Sequence, residues 1–102
     1  MKTYYVYDSS AYYVSKLLSS FSINKKINLC FVSTDHKIEQ KEIIYIVNDL
    51  SDFVDYLVIR EKHIQTLLVI TSVYLNRKLS LTKTFTFYTY EELEKYLEKT
   101  IC

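Results

Sequence analysis

Sliding the chain along itself by 52 positions brings Tyr4 onto Tyr56, Val6 onto Val58, Ser20 onto Ser72, Asn24 onto Asn76, Lys26 onto Lys78 and Leu29 onto Leu81. Apolar positions between these identities keep their class: Tyr5 with Leu57, Tyr7 with Ile59, Leu17 with Val69, Leu18 with Ile70, Phe21 with Val73, Ile23 with Leu75 and Ile27 with Leu79. A self-match at one fixed offset is the signature of a duplicated supersecondary unit. Residues 56–82 then read as a copy of residues 4–30. At 102 residues the chain has the length of one domain, and half of it is too short to bury a stable core alone. The two copies, residues 3–50 and 55–101, are therefore expected to share one core within a single domain, 1–102.

Residues 3–8 (TYYVYD) form a continuous aromatic and β-branched run, the composition of a central strand buried on both faces. Asp8, Ser9 and Ser10 offer capping oxygens, and Val14, Leu17, Leu18 and Phe21 follow at the spacing of an amphipathic helix. That helix is expected to end near Asn24, with Lys25 and Lys26 at its negative pole. Residues 27–33 alternate as a second strand. Ile43, Ile46, Val47 and Leu50 match the helical template, although residues 43–47 also suit a short buried strand; the charged lead-in at residues 37–42 favours helix.

Residues 49–55 read as the junction between copies, and residues 56–60 as the third strand. Within residues 62–75 the run 67–70 is apolar all round and reads locally as strand, but the internal match assigns the stretch to helix, ending at Asn76, Arg77 and Lys78. Residues 84–89 (TFTFYT) alternate as an outer strand, with Phe85 and Phe87 inward. Thr89 and Glu92 make a capping-box pair ahead of Leu93, Tyr96, Leu97 and Ile101. The expected fold is α/β: two strand-helix-strand-helix repeats sharing one four-stranded sheet, with a groove where they meet.

Composition narrows the functions open to such a fold. Glycine and proline are both absent, so glycine-rich phosphate loops are excluded and turns must use Asn, Asp, Ser and Lys. The formal net charge is +1, so any site for nucleic acid must be local. Eleven tyrosines supply amphipathic area of the kind enriched at protein interfaces, and codon bias accounts for the same excess. Cys30 and Cys102 form no disulfide framework, which points to free thiols and a cytoplasmic, reducing setting. The longest apolar run, residues 67–70, is too short to cross a bilayer, so no membrane association is expected.

No catalytic or metal constellation stands out, and no cofactor is implied. Residues 6–11 (VYDSSA) faintly resemble the opening of a PIN-domain nuclease. That family needs further acids late in the chain, where this sequence offers Thr71, Ser72 and Asn76, so Asp8 and Asp35 read as helix caps. His36 and His63 have no second ligand at metal spacing, and Cys30 has no basic neighbour in its strand. Tyr12, Tyr13 and Tyr74 are candidates for contact with a partner, with core packing as the plainer reading of each. The symmetric basic pairs, Lys25 with Lys26 and Arg77 with Lys78, are candidates for phosphate contacts, and otherwise solvate helix ends.

The opening MKTYYVYDSSAYYVSKLL, in a chain rich in Tyr, Ile and Lys and free of Gly and Pro, resembles the small proteins of Acidianus filamentous viruses, which infect hyperthermophilic archaea. The resemblance spans the whole chain but carries no functional motif. It implies a stage inside an archaeal host cell and no enzyme activity. The expected role is a non-enzymatic module that takes up a protein or peptide in the inter-repeat groove or at a sheet edge, a picture compatible with homodimerisation. Nucleic-acid binding through the basic pairs is the alternative.

Overall fold

The computed structural model describes residues 2–21, 27–31, 42–62 and 66–101. In chain order these form β1 (Lys2–Asp8), α1 (Tyr12–Phe21), β2 (Ile27–Phe31), β3 (Glu42–Val47), α2 (Leu50–Lys62), β4 (Thr66–Ile70), α3 (Val73–Thr82) and α4 (Tyr90–Ile101). The strands make one parallel sheet in the order β2-β1-β3-β4. The α/β class with a single four-stranded sheet, expected from the sequence, is what the chain adopts.

β1 is central, as its unbroken apolar run requires: Tyr4, Val6 and Tyr7 are buried and it pairs on both edges. β3 is the other interior strand, with residues 43–47 all buried. The helix expected there gives way because these residues are apolar and mostly β-branched, with no polar position to face water, and the sheet covers both of their faces. β4 corrects the third helix in the same way. Its residues 68–70 are buried, and local propensity, not the internal match, decides their state.

Residues 56–60, expected as a strand, lie within α2. Phe53 and Tyr56, three apart, pack onto the sheet, while Val54, Asp55, Val58 and Arg60 face outward, which is helical periodicity. The supposed junction at residues 49–55 is the start of this helix. Because residues 4–8 are strand and residues 56–60 helix, the match at offset 52 does not correspond to a repeated backbone, and the groove inferred between copies has no counterpart. Strand-helix-strand units do occur twice, at residues 2–31 and 42–70, with bounds the match does not indicate.

The expected outer strand at residues 84–89 is reduced to one parallel bridge, Val69 with Tyr88, in which Tyr88 N–H donates to Leu68 O and Ile70 N–H to Tyr88 O, both at 2.9 Å. Its alternation survives, with Phe85 and Phe87 half-buried and Thr84 and Thr86 exposed. α4 and its capping box form as read: Thr89 N–H donates to Glu92 Oε1 at 3.0 Å and Glu92 N–H to Thr89 Oγ1 at 3.2 Å. Residues 76–78 sit inside α3 and do not end it; the helix closes at Lys83, in the left-handed region with φ 55°.

The helices cover both faces of the sheet. Leu17 and Phe21 of α1 join Tyr90, Leu93 and Leu97 of α4 over Tyr4, Val6, Ile44, Ile46 and Val69. Phe53 and Tyr56 of α2 join Leu75 of α3 over Tyr7, Ile43, Tyr45, Val47, Leu68 and Ile70. β1 to β2 and β3 to β4 step across the sheet in opposite directions, so right-handed crossovers must put α1 and α2 on opposite faces. The strand order therefore reverses between β1 and β3, at the end where their carboxyl termini emerge.

With no glycine, the chain places Ala11 at φ 61° ahead of α1, a residue absent from the expected set of turn formers. A left-handed L-residue costs about 1–2 kcal/mol and glycine's extra unfolded-state freedom roughly 0.5–1 kcal/mol. Ala11→Gly is expected to raise stability by about 0.5 kcal/mol, read from the urea midpoint at unchanged slope; a loss of stability would show that the Ala11 methyl group is needed.

Candidate functional site

All the strands being parallel, the carboxyl ends of β1, β3 and β4 reach the same end of the sheet, and there the chain concentrates its polar side chains. Asp8 closes β1 with a carboxylate that accepts five hydrogen bonds. Oδ1 takes Ser10 N–H at 3.1 Å, Ser10 Oγ at 3.0 Å and Asn48 Nδ2 at 2.8 Å; Oδ2 takes Tyr13 N–H at 2.9 Å and Val14 N–H at 3.1 Å. The last two are amide donors of α1's first turn that have no partner within the helix, so the capping role expected of Asp8 is the one it performs.

Asn48, following β3, ties the neighbouring elements together. Its Oδ1 accepts from Thr71 Oγ1 at 2.6 Å, just past β4, and its N–H donates to Asp52 Oδ2 at 3.0 Å. Asp52, buried in the first turn of α2, also accepts from Ser9 Oγ at 2.9 Å, and its own N–H donates to Asp49 Oδ1 at 2.9 Å. Nothing in the sequence singled out Asn48, since a lone Asn after an apolar run reads as a turn residue. The switch point between β1 and β3 is thus filled by a network in which both buried-side carboxylates are already engaged.

Open volume lies beside this plug. A cleft of about 380 Å³ is lined by Tyr12, Tyr13 and Lys16 of α1, by residues 70–73 with Asn76 and Arg77 where β4 passes into α3, and by Thr89, Tyr90 and Glu91 at the start of α4. Two of its helix caps are hydroxyls. Ser72 Oγ accepts Leu75 N–H at 3.3 Å and Thr89 Oγ1 accepts Glu92 N–H, which leaves each hydroxyl its own proton to donate. Lys16 Nζ stands 4.9 Å from the centroid of the Tyr90 ring. Tyr13 meets Tyr90 at 4.8 Å between centroids and Tyr12 edge to face at 4.9 Å.

Of the tyrosines expected to contact a partner, Tyr12 and Tyr13 line this cleft; Tyr74 is exposed on α3 outside the lining, with Lys78 Nζ 5.6 Å from its ring centroid. Of the basic residues, Arg77 enters the cleft and Lys78 does not, because they lie on adjacent positions of one helix, about 100° apart. They do not cap a helix end as expected. Lys25 and Lys26 lie outside the described residues, as do Asp35, His36, His63 and Cys102. Lys16, Ser72, Asn76, Thr89 and Glu91 were missed as site residues. Ser72 had a signal: Thr71-Ser72 directly after the apolar run at residues 67–70 reads as a strand end and a cap once that run is taken as strand. Lys16 had none, being one polar residue on an amphipathic helix.

Among the described residues no group of three or more His, Cys, Asp or Glu side chains is placed to hold a metal, and no helix is long and apolar enough to cross a membrane. The Cys30 thiol is free and half-buried. Comparison of the chain with protein-family models, with curated proteins and with solved structures finds no match.

Three buried tyrosines, Tyr45, Tyr56 and Tyr90, carry raised pKa values, burial being the largest cause in each. Burial first, then the carboxylates of Asp55 and Asp52, push Tyr45 above the ordinary tyrosine value. Burial and then Glu94, one turn along α4, do the same to Tyr90. Among the described residues the Tyr90 hydroxyl finds no hydrogen-bond partner of good geometry.

Asp8→Ala is expected to cost about 2–4 kcal/mol in urea unfolding, since it strands two helix amides and the Asn48 amide together. A loss within about 0.5 kcal/mol would show the network to be dispensable. Because the folded state holds the Tyr45 and Tyr90 protons more tightly than the unfolded chain, their contribution is complete below about pH 10 and is lost as pH rises above it. The double variant Tyr45→Phe/Tyr90→Phe is expected to show a shallower alkaline fall in thermal midpoint than the parent chain.

Proposed function

We propose that the protein is a non-enzymatic binding module whose cleft between α1, α3 and α4 receives an oxyanion, a phosphate or carboxylate group of its ligand. The observation that carries this reading is the donor set: two cap hydroxyls, Ser72 and Thr89, each with a proton left to give, and two cations, Lys16 and Arg77, on one cleft. Helix starts at Val73 and Tyr90 add their positive ends to the same space. Glu91 is the single acid among the described lining residues. The non-enzymatic part rests on Asp8 and Asp52: every described contact of their carboxylates is a structural one, so neither is poised as a base or nucleophile.

The expectation of a protein partner keeps a place as a second reading of the same cleft, in which the oxyanion is a peptide's carboxylate. It is favoured by Tyr12 and Tyr74, 63% and 68% exposed on the helices that form the cleft, since tyrosine supplies interface area at low entropic cost. Binding to a nucleic-acid chain has less behind it because, of the two described basic residues proposed to grip phosphates, Arg77 lines the cleft and Lys78 does not. An intracellular setting remains part of the proposal, on the strength of cysteines that form no framework.

In titrations with inorganic phosphate followed by amide chemical shifts, perturbations are expected at Ser72, Val73, Thr89 and Tyr90. Arg77→Ala is expected to weaken binding about 10-fold or more without changing the thermal midpoint, because charge-assisted hydrogen bonds are the strong ones and Arg77 is exposed. Shifts spread evenly over the surface, or binding unchanged in Arg77→Ala, would remove the reading.

A further inference from the structure

The lining of the cleft carries two chemically different sets of groups, and their combination narrows the ligand. One is the oxyanion set of Ser72, Thr89 and Arg77. The other is aromatic: Tyr12, 63% exposed, is held edge to face against Tyr13, which packs in turn on Tyr90. The buried member anchors the row, because Tyr90 lies in the core beside Leu93 and Leu97. A ring fixed in this way and still open to solvent is a stacking platform, and stacking of one base on an aromatic side chain contributes roughly 5- to 150-fold in affinity.

A volume of about 380 Å³ is at the small end of the range for small-molecule sites, which suits one nucleotide unit. Glu91, an acceptor in a lining otherwise rich in donors, is placed to take a sugar hydroxyl or an exocyclic amino group. The cleft also opens where parallel strands end and helices begin, beside the reversal in strand order, the position at which open α/β sheets take up ligands.

We propose that the ligand is a nucleoside monophosphate, its phosphate on Ser72, Thr89 and Arg77 and its base against Tyr12 and Tyr13. This rests on the oxyanion reading above and adds the base to it. No glycine-rich loop is involved. In a chain without glycine, the side chains of Ser72, Thr89 and Arg77 supply contacts that a glycine-rich backbone cradle otherwise makes.

The test is calorimetric titration of the full chain with AMP and UMP, adenosine, ribose 5-phosphate and inorganic phosphate, repeated on Tyr12→Ala, Tyr12→Phe and Arg77→Ala, with amide spectra to confirm that each variant is folded. At least one monophosphate is expected to bind about 5-fold or more tighter than ribose 5-phosphate. Tyr12→Ala should abolish that advantage while leaving phosphate affinity intact, Tyr12→Phe should keep it, and Arg77→Ala should weaken every phosphorylated compound. Equal affinity for AMP, UMP and ribose 5-phosphate, or an advantage that survives Tyr12→Ala, would overturn the nucleotide assignment and leave the oxyanion site standing. Absence of binding by all the phosphorylated compounds would overturn both.

Discussion

The Asp8 carboxylate is the joint on which the carboxyl edge of the sheet depends. It ends the central strand, caps α1 through Tyr13 and Val14, and reaches across to Asn48 at the end of β3. Hydrogen bonds to a charged acceptor contribute about 1.5–3 kcal/mol each when buried and less when exposed, and five of them fix one side chain completely. That rigidity supports the left-handed turn at Ala11, whose strain an isolated chain would relieve by unwinding. The same carboxylate has both oxygens occupied by these structural contacts.

A doubly wound sheet without glycine has to solve each strand-to-helix passage with side chains. Here every helix start is served by a side-chain oxygen: Asp8 for α1, Asp49 for α2, Ser72 for α3 and Thr89 for α4. The choice between acid and hydroxyl has a consequence for binding. A carboxylate cap only accepts, and its charge repels an anionic ligand, whereas a hydroxyl cap accepts from the helix and still donates outward. Both hydroxyl-capped helices, α3 and α4, begin at the cleft, beside the carboxylate-capped α1 that forms its other wall, and the network of Asp8, Asp49 and Asp52 lies at the neighbouring switch point.

Legibility of the sequence followed amphipathicity. α1 and α4 were readable because each has a clear polar face and an oxygen at its start, and β1 because an aromatic, β-branched run of its length suits only a buried strand. Residues 43–47 and 67–70 were not, since a short run that is apolar on every side fits a strand between covered faces and a fully buried helix equally well. The offset of 52 misdirected that choice. In a chain that is 49% hydrophobic and drawn largely from Tyr, Ile, Leu, Val, Ser, Thr and Lys, apolar positions meet apolar positions at many shifts, and the agreement carries no backbone information. Of the cleft, the sequence offered Tyr12, Tyr13 and Arg77 as separate candidates from two different hypotheses, and only folding placed them on one surface.

By itself the sequence determined the α/β class, the central strand, the first and last helices and the caps at Asp8 and Thr89, because these rest on contacts between residues close in the chain. The tertiary structure decided the rest: which apolar runs are strands, the order β2-β1-β3-β4, and the meeting of Lys16, Ser72, Arg77 and Thr89 across 73 positions of chain. The physical reason is that burial on two faces, strand pairing and convergence at a sheet edge depend on neighbours remote in sequence, and local periodicity carries no record of them.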